Sequence, residues 1–349
     1  MFKQSVRSWL VMGAALVGMA GAQAANPKIC VWDIIGANGD QANAAKDYAL
    51  AMQKDNVYLD LKFYTDEHVA VEDFRTGQCD GVMATGFRLR PFNPISTSID
   101  DLGSTTIVRN GKIDMEGSYD AVLKAIEIFS SPKAEKLMTN GDYEVAGIVT
   151  LGPVFPFNND RRINSVEALA GKRLASMDYD RSQATMIQKI GAQPVSVDIM
   201  TVGPKFNNGS VDVIFLPAVA YRPMELYKGL GTKGSIARFP VLFSTIQMII
   251  KKDRFPPGFG QKSRDYWLSQ FGHFKKMAVD AEKTIPAHYW MDLPQSNAVK
   301  YTLMLRDSRI DLAKKGLYDK TGLKILKKVR CSINPSDSEC ASNSEIVWN

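Results

Sequence analysis

Gly77-Gln78-Cys79-Asp80-Gly81-Val82-Met83 and Gly209-Ser210-Val211-Asp212-Val213-Ile214-Phe215 repeat one phrase roughly 130 residues apart. Each reads as a helix-ending glycine, two spacers, an aspartate and an apolar strand. Each strand empties into a loop with arginine and proline, Thr85-Gly86-Phe87-Arg88-Leu89-Arg90-Pro91 in the first and Pro217-Ala218-Val219-Ala220-Tyr221-Arg222-Pro223 in the second. Two α/β units with polar loops at matching strand ends predict a two-lobed clamp around a small molecule.

The intervening pattern supports two wound sheets. Ile29 to Ile35 is almost continuously apolar, as a strand buried on both faces should be. Asn38, with Gln41 three residues on, predicts a capped helix whose buried stripe is Ala42, Ala45, Ala49 and Met52. Val57, Leu59, Leu61 and Phe63 alternate as a strand, Asp66 to Arg75 reads as a helix, and Asp80 to Thr85 is a third strand. That rhythm predicts a parallel sheet with right-handed crossovers. An amphipathic helix follows over Tyr119 to Phe129, then a strand over Tyr143 to Leu151 and a loop over Gly152 to Asn159.

The second unit starts over. Asn164 with Glu167 predicts a cap, Arg173 to Ser176 a strand, and Asp180 with Gln183 the next helix cap. Val195 to Val197, a short helix over Thr201 to Asn208, and the strand Val211 to Leu216 complete it. The long apolar stretch Phe239 to Ile250 suits a strand returning between lobes, and from Gln261 onward the pattern is helical. The predicted organisation is a leader over 1–24, lobe one over 25–150, lobe two over 151–245, and a return strand with C-terminal helices over 246–349.

The N-terminus predicts the compartment. Lys3 and Arg7 precede an apolar stretch from Trp9 to about Gly21, and Ala22-Gln23-Ala24 supplies small residues for cleavage. This is the pattern of a secretory signal peptide, cut near Ala24 to release a soluble periplasmic protein. The formal charge falls from +6 to +4 without Lys3 and Arg7. So mild a charge, with no aromatic-basic interleaving, argues against nucleic acid as a partner. The one local basic cluster, Lys324 to Arg330, reads as a solvated helix face.

Four cysteines in an oxidising compartment suggest bridges. Cys30 and Cys79 begin two strands expected to be neighbours, and Cys331 and Cys340 enclose a short polar loop, so the favoured pairing is 30–79 with 331–340. No Cys-x-x-Cys occurs and His68, His273 and His288 are dispersed, which argues against a metal or other cofactor.

The second unit resembles a known family. Asn164-Ser165-Val166-Glu167-Ala168-Leu169-Ala170-Gly171-Lys172-Arg173-Leu174 looks like the "s-x-x-D-L-x-G-K-K-I-R" stretch of TRAP-type (DctP-like) periplasmic solute-binding proteins. Gly191-Ala192-Gln193-Pro194-Val195 and Asn208-Gly209-Ser210-Val211-Asp212 resemble two further stretches in the same order. The resemblance implies two Rossmann-like lobes with mostly parallel sheets, hinge strands and a helical tail, as in type II periplasmic binding proteins. It implies a monomer that closes on a small polar ligand and delivers it to a TRAP-like membrane transporter. One position departs: where the family has a carboxylate-pairing arginine, this chain has Ala175. The chain also resembles a branch labelled as RND efflux-associated and linked to aminoglycoside resistance, which implies an efflux assembly as the alternative partner. A conventional efflux adaptor contains a long heptad hairpin, and none is visible here.

Ligands of open α/β sheets sit beyond the carboxyl ends of strands. That rule selects Gly36, Asn38 and Gly39, where helix amides can hold an anion. It also selects Thr85, Arg88 and Arg90, then Phe155, Phe157 and Asn158, then Asp178, Tyr179 and Arg181, and finally Tyr221 and Arg222. Arg88, Arg90, Arg181 and Arg222 suit an acidic ligand, Phe87, Phe155, Phe157 and Tyr179 suit a ring, and Asp178 and Asp180 suit an amine. Ligand charge stays open between these. No Gly-x-Ser-x-Gly, phosphate-loop or His-Glu-x-x-His motif is present, so an enzyme on this fold is a third and weaker reading.

Overall fold

The computed structural model describes residues 26–348, and the expected leader lies outside the described residues. Helices pack on a mixed sheet whose main path runs Asp60–Tyr64, Lys28–Trp32, Gly81–Thr85, Leu242–Lys251, Tyr143–Asn158, Val213–Pro217, Arg173–Met177 and Gln193–Val197. The two outer pairings at each end are parallel, and the three in the centre are antiparallel. The expected α/β fold with mostly parallel arms is therefore present. The two sheets are joined into one, because two long strands run from one arm to the other.

Those strands are Tyr143–Asn158, 16 residues, and Leu242–Lys251, 10 residues. At ~3.3 Å per residue the longer one spans ~50 Å, enough to cross the molecule. Val149 and Ile246 are register partners at its middle. Just beyond them Leu151 has no partner, since Thr150 pairs with Thr245 and Gly152 with Ser244. This bulge puts Gly152 at φ +110°, and a Cβ there would come 2.8 Å from the Ala278 Cβ. The expected loop over Gly152 to Asn159 is therefore wrong. Pro153 and Pro156, which argue against a central strand, sit within the ladder opposite Phe243 and Phe215.

Other differences are local. The first strand ends at Trp32, and the helix Asp40–Met52 has Gly39 at its cap with no side-chain bond, so Asn38 is not the cap. Asp66 and Asp180 do cap their helices, Glu67–Arg75 and Arg181–Lys189. Asn164 does not cap one; a single 3-10 turn, Glu167–Leu169, follows it. A two-residue strand, Trp290–Met291, interrupts the helical tail by pairing with Ser235–Ala237. Disulfides join Cys30 to Cys79 and Cys331 to Cys340, with Cα separations of 5.8 and 5.6 Å.

A large core in the first arm gathers Ile29, Phe74, Val122, Phe129 and Trp267, and two smaller cores in the second gather Leu174 with Ile187 and Phe206 with Ile214. The basic cluster near the C-terminus is not a solvated face. Lys324 and Lys328 are exposed, but Lys327 and Arg330 are buried. Arg330 pairs with Glu339 and Glu345 at 2.7 and 2.8 Å, and Arg309 pairs with Glu345 at 2.7 Å. The same guanidinium groups donate to the Ser104 and Leu102 carbonyls. The last residues thus return to lock the tail onto the body.

Two measurements follow from this packing. Removing one partner from a buried pair strands the other charge, so Glu345→Gln should lower unfolding free energy by about 3–5 kcal/mol, read from urea denaturation. Asp100 is fully buried, accepts from the Thr245 amide and hydroxyl, and is pushed by burial to about pH 7. The folded chain holds that proton more tightly than the unfolded one. The stabilisation is complete below the unfolded value near pH 4 and lost as pH rises through about 7. Melting temperature should therefore fall from pH 5 to pH 8, and Asp100→Asn, a neutral isostere, should remove part of the fall.

Candidate functional site

A cavity of about 150 Å³ opens at the waist, walled by both arms and the tail. The strand-end residues Trp32, Thr85, Met177 and Pro217 border it, as do Thr150, Val154 and Ser244 of the crossing strands. Phe274, Met277 and Ala278 come from the helix Phe271–Lys283, and Tyr318 from the tail. Most of the wall is apolar. Among the described residues its ionisable members are Asp33, Asp40, Glu67, Asp180, Tyr179 and Tyr318, and no lysine, arginine or histidine contributes.

Each wall carboxylate has a different environment. Asp33 follows the first strand directly and holds three backbone amides: Ile35 at 2.8 Å, Gln41 at 2.9 Å and Ala42 at 3.2 Å. It is the real cap of the helix Asp40–Met52. Asp180 accepts from Ser182 and Gln183 through Oδ1. Asp40 is exposed at the rim. Glu67 is 1 % exposed, and its Oε1 accepts from the Thr85 amide at 2.7 Å. Its Oε2 lies 3.7 Å from Arg88 Nε, beyond hydrogen-bond reach. Burial raises the Glu67 pKa above the ordinary carboxylate value.

Arg88 ties the arms together beside this group. Its guanidinium stacks 3.5 Å from the centre of the Tyr179 ring, with Nη2 3.9 Å from Asp178. Its Nε is buried without a hydrogen-bond partner. Tyr179 is half-buried, and desolvation pushes its phenol well above the usual value. Arg90 is committed to Asp101 at 2.6 Å and lies over the Tyr318 ring.

Of the residues expected to meet ligand, Thr85 and Tyr179 border the cavity, and Arg88 and Asp178 adjoin them. The others are placed differently. Gly36, Asn38 and Gly39 offer no anion nest, because Asp33 already holds the helix amides. Phe155, Phe157 and Asn158 are buried strand residues, with Phe155 packed edge-on against Trp290. Arg181 and Arg222 are exposed, and Tyr221 is buried towards Tyr227 and Tyr289. Ala175 sits in the second-arm core, 3 % exposed. Sequence reading missed Asp33, Glu67, Met177 and Tyr318 as wall residues. Asp33 had one signal, a charge at the end of an apolar strand.

The profile of the family described as solute-binding protein AdeT 1/2 matches residues 49–345. Among relatives, probable solute-binding protein AdeT1 of Acinetobacter baumannii is 44% identical over 315 residues, covering 90% of this chain and 100% of that one. Probable solute-binding protein AdeT2 of the same organism is 27% identical, covering 62% of this chain and 90% of that one. Solved structures of similar fold include a TRAP periplasmic solute-binding protein from Ralstonia eutropha with bound (S)-2-acetolactate. It has a TM-score of 0.69 at 14% identity, over 88% of this chain and 99% of that one. Another, from Desulfovibrio salexigens with bound orotic acid, has a TM-score of 0.68 at 14% identity, again over 88% and 99%.

The placement of Gly39 separates packing from binding. A Cβ there would lie 1.9 Å from Asp33 Oδ1. Gly39→Ala should therefore cost about 1–3 kcal/mol in denaturant unfolding, whereas Arg222→Ala, an exposed change, should stay within about 0.5 kcal/mol.

Proposed function

The chain belongs to the AdeT1/2 solute-binding protein family, and from that premise we propose that it captures a small molecule in the waist cavity by closing two lobes. The observation that carries this is a single cavity walled by strand ends of both arms. The lobes are 25–150 and 151–245, and the return strand and helices of 246–349 pack across them. Val149 and Ile246, paired at the middle of the crossing strands, are the hinge. Ligand favours the closed form only through contacts with both lobes at once.

The N-terminal 24 residues are a signal peptide, and the mature chain works in the periplasm as a monomer. Among the described residues no helix is long and apolar enough to cross a membrane, which fits a carrier that delivers cargo to a separate membrane transporter of TRAP type. The role is binding without catalysis. Thr85 and Tyr179 are retained from the expected contacts, with Arg88 and Asp178 as the bridge between lobes.

Protein purified from periplasm and then denatured should release one dominant small molecule detectable by mass spectrometry. Val219→Trp, which fills the cavity from a half-buried wall position, should release none while melting within a few degrees of the parent. Equal recovery from both proteins would place the ligand elsewhere and end this reading.

A further inference from the structure

The wall chemistry narrows the ligand class, an inference that rests on the waist cavity being the binding site. About 150 Å³ is the space that an engineered protein cavity gives to one benzene ring. Met177, Met186, Met224 and Met277 all contribute to the wall, and their flexible thioethers adapt to an apolar body. Charge in the wall has one sign. Asp33 holds three backbone amides, Asp180 holds two on Oδ1, and Glu67 holds one on Oε1 with Arg88 Nε 3.7 Å from Oε2. Of the three, Glu67 is the one whose second oxygen faces a cation that is too far to donate.

We infer that the cleft takes an apolar molecule about the size of one aromatic ring that carries a single protonated amine, with the amine against Glu67 Oε2. A buried carboxylate is stable when a cation both pairs with it and donates a hydrogen bond. Arg88 approaches without donating, at 3.7 Å. An ammonium entering from the cavity supplies the missing donor. A ligand carboxylate would find acids but no cation in the wall itself, because Arg88 lies behind Glu67 and Tyr179 and Arg90 already holds Asp101.

Isothermal titration with 2-phenylethylamine, 2-phenylethanol and phenylacetate tests the assignment. The amine should bind at least tenfold more tightly than the alcohol, and phenylacetate most weakly. Glu67→Gln keeps an acceptor for the Thr85 amide, and should weaken the amine at least tenfold while leaving the alcohol within twofold. Should that variant fail to fold, Met177→Arg places a cation in the wall and should reverse the order of amine and phenylacetate. Equal or tighter binding of phenylacetate or the alcohol overturns the ligand class, as does a uniform loss across all three probes in Glu67→Gln. Absence of binding by all three overturns it too. Solute capture itself is read separately, by the release of bound cargo from purified protein.

Discussion

The pairing of Tyr143–Asn158 with Leu242–Lys251 is the constraint on which the rest of the molecule depends. A ladder crossing from one arm to the other joins them in one sheet and brings the strand ends of both to the waist. The ladder is interrupted at two points, at Ala146 and at Leu151, and at the second Gly152 adopts a left-handed φ. Bulges bend strands and increase local twist, so the crossing bends beside the cavity. The Thr245 amide near this irregularity finds Asp100 as acceptor, and Gln247 one step on is held by Ser96. Side chains from the first arm thereby complete the hydrogen bonding of a strand that also serves the second.

The cavity's character follows from which side chains those strand ends present. Arginines that look available in sequence turn to internal acids, because a buried guanidinium needs a carboxylate or carbonyl partner. Arg90 takes Asp101 and Arg88 lies between Glu67, Tyr179 and Asp178. The wall is left with methionine, aromatic and aliphatic surface, and with acids. This differs from a site built around an arginine fork. The departure at Ala175 agrees with it, as that position is absorbed into the core of the second arm.

The tail is more than a cover. Arg309 and Arg330 extend from tail helices to the Leu102 and Ser104 carbonyls of the first half, while Glu339 and Glu345 close over them. The Cys331–Cys340 bridge sits within the same network. Tyr318 projects from this region to the cavity and lies under Arg90. Tail, network and cavity wall are therefore contiguous, linked through Tyr318 and Arg90.

Much of the fold was legible because hydrophobic period and glycine position act locally. The three first-arm strands, the helices after Asp66 and Asp180, the two disulfides and the long return strand all follow from short-range pattern. The errors share one cause. Pro153 and Pro156 signal a loop to any local reading, yet long-range pairing holds them in a strand. Asn38 has the chemistry of a cap, yet Asp33 takes the amides because the chain folds back through Gly36 and Gly39. The binding surface was the least legible part. A sequence shows which side chains carry charge, but whether an arginine faces a ligand or an aspartate depends on partners 10 to 90 residues away, as Arg90 with Asp101 and Arg88 with Asp178 make plain. Periodicity and glycine position determined an α/β chain built from two similar units. Only tertiary packing decided that the space between them is apolar and acid-lined, because burial assigns each charge a partner before any ligand arrives.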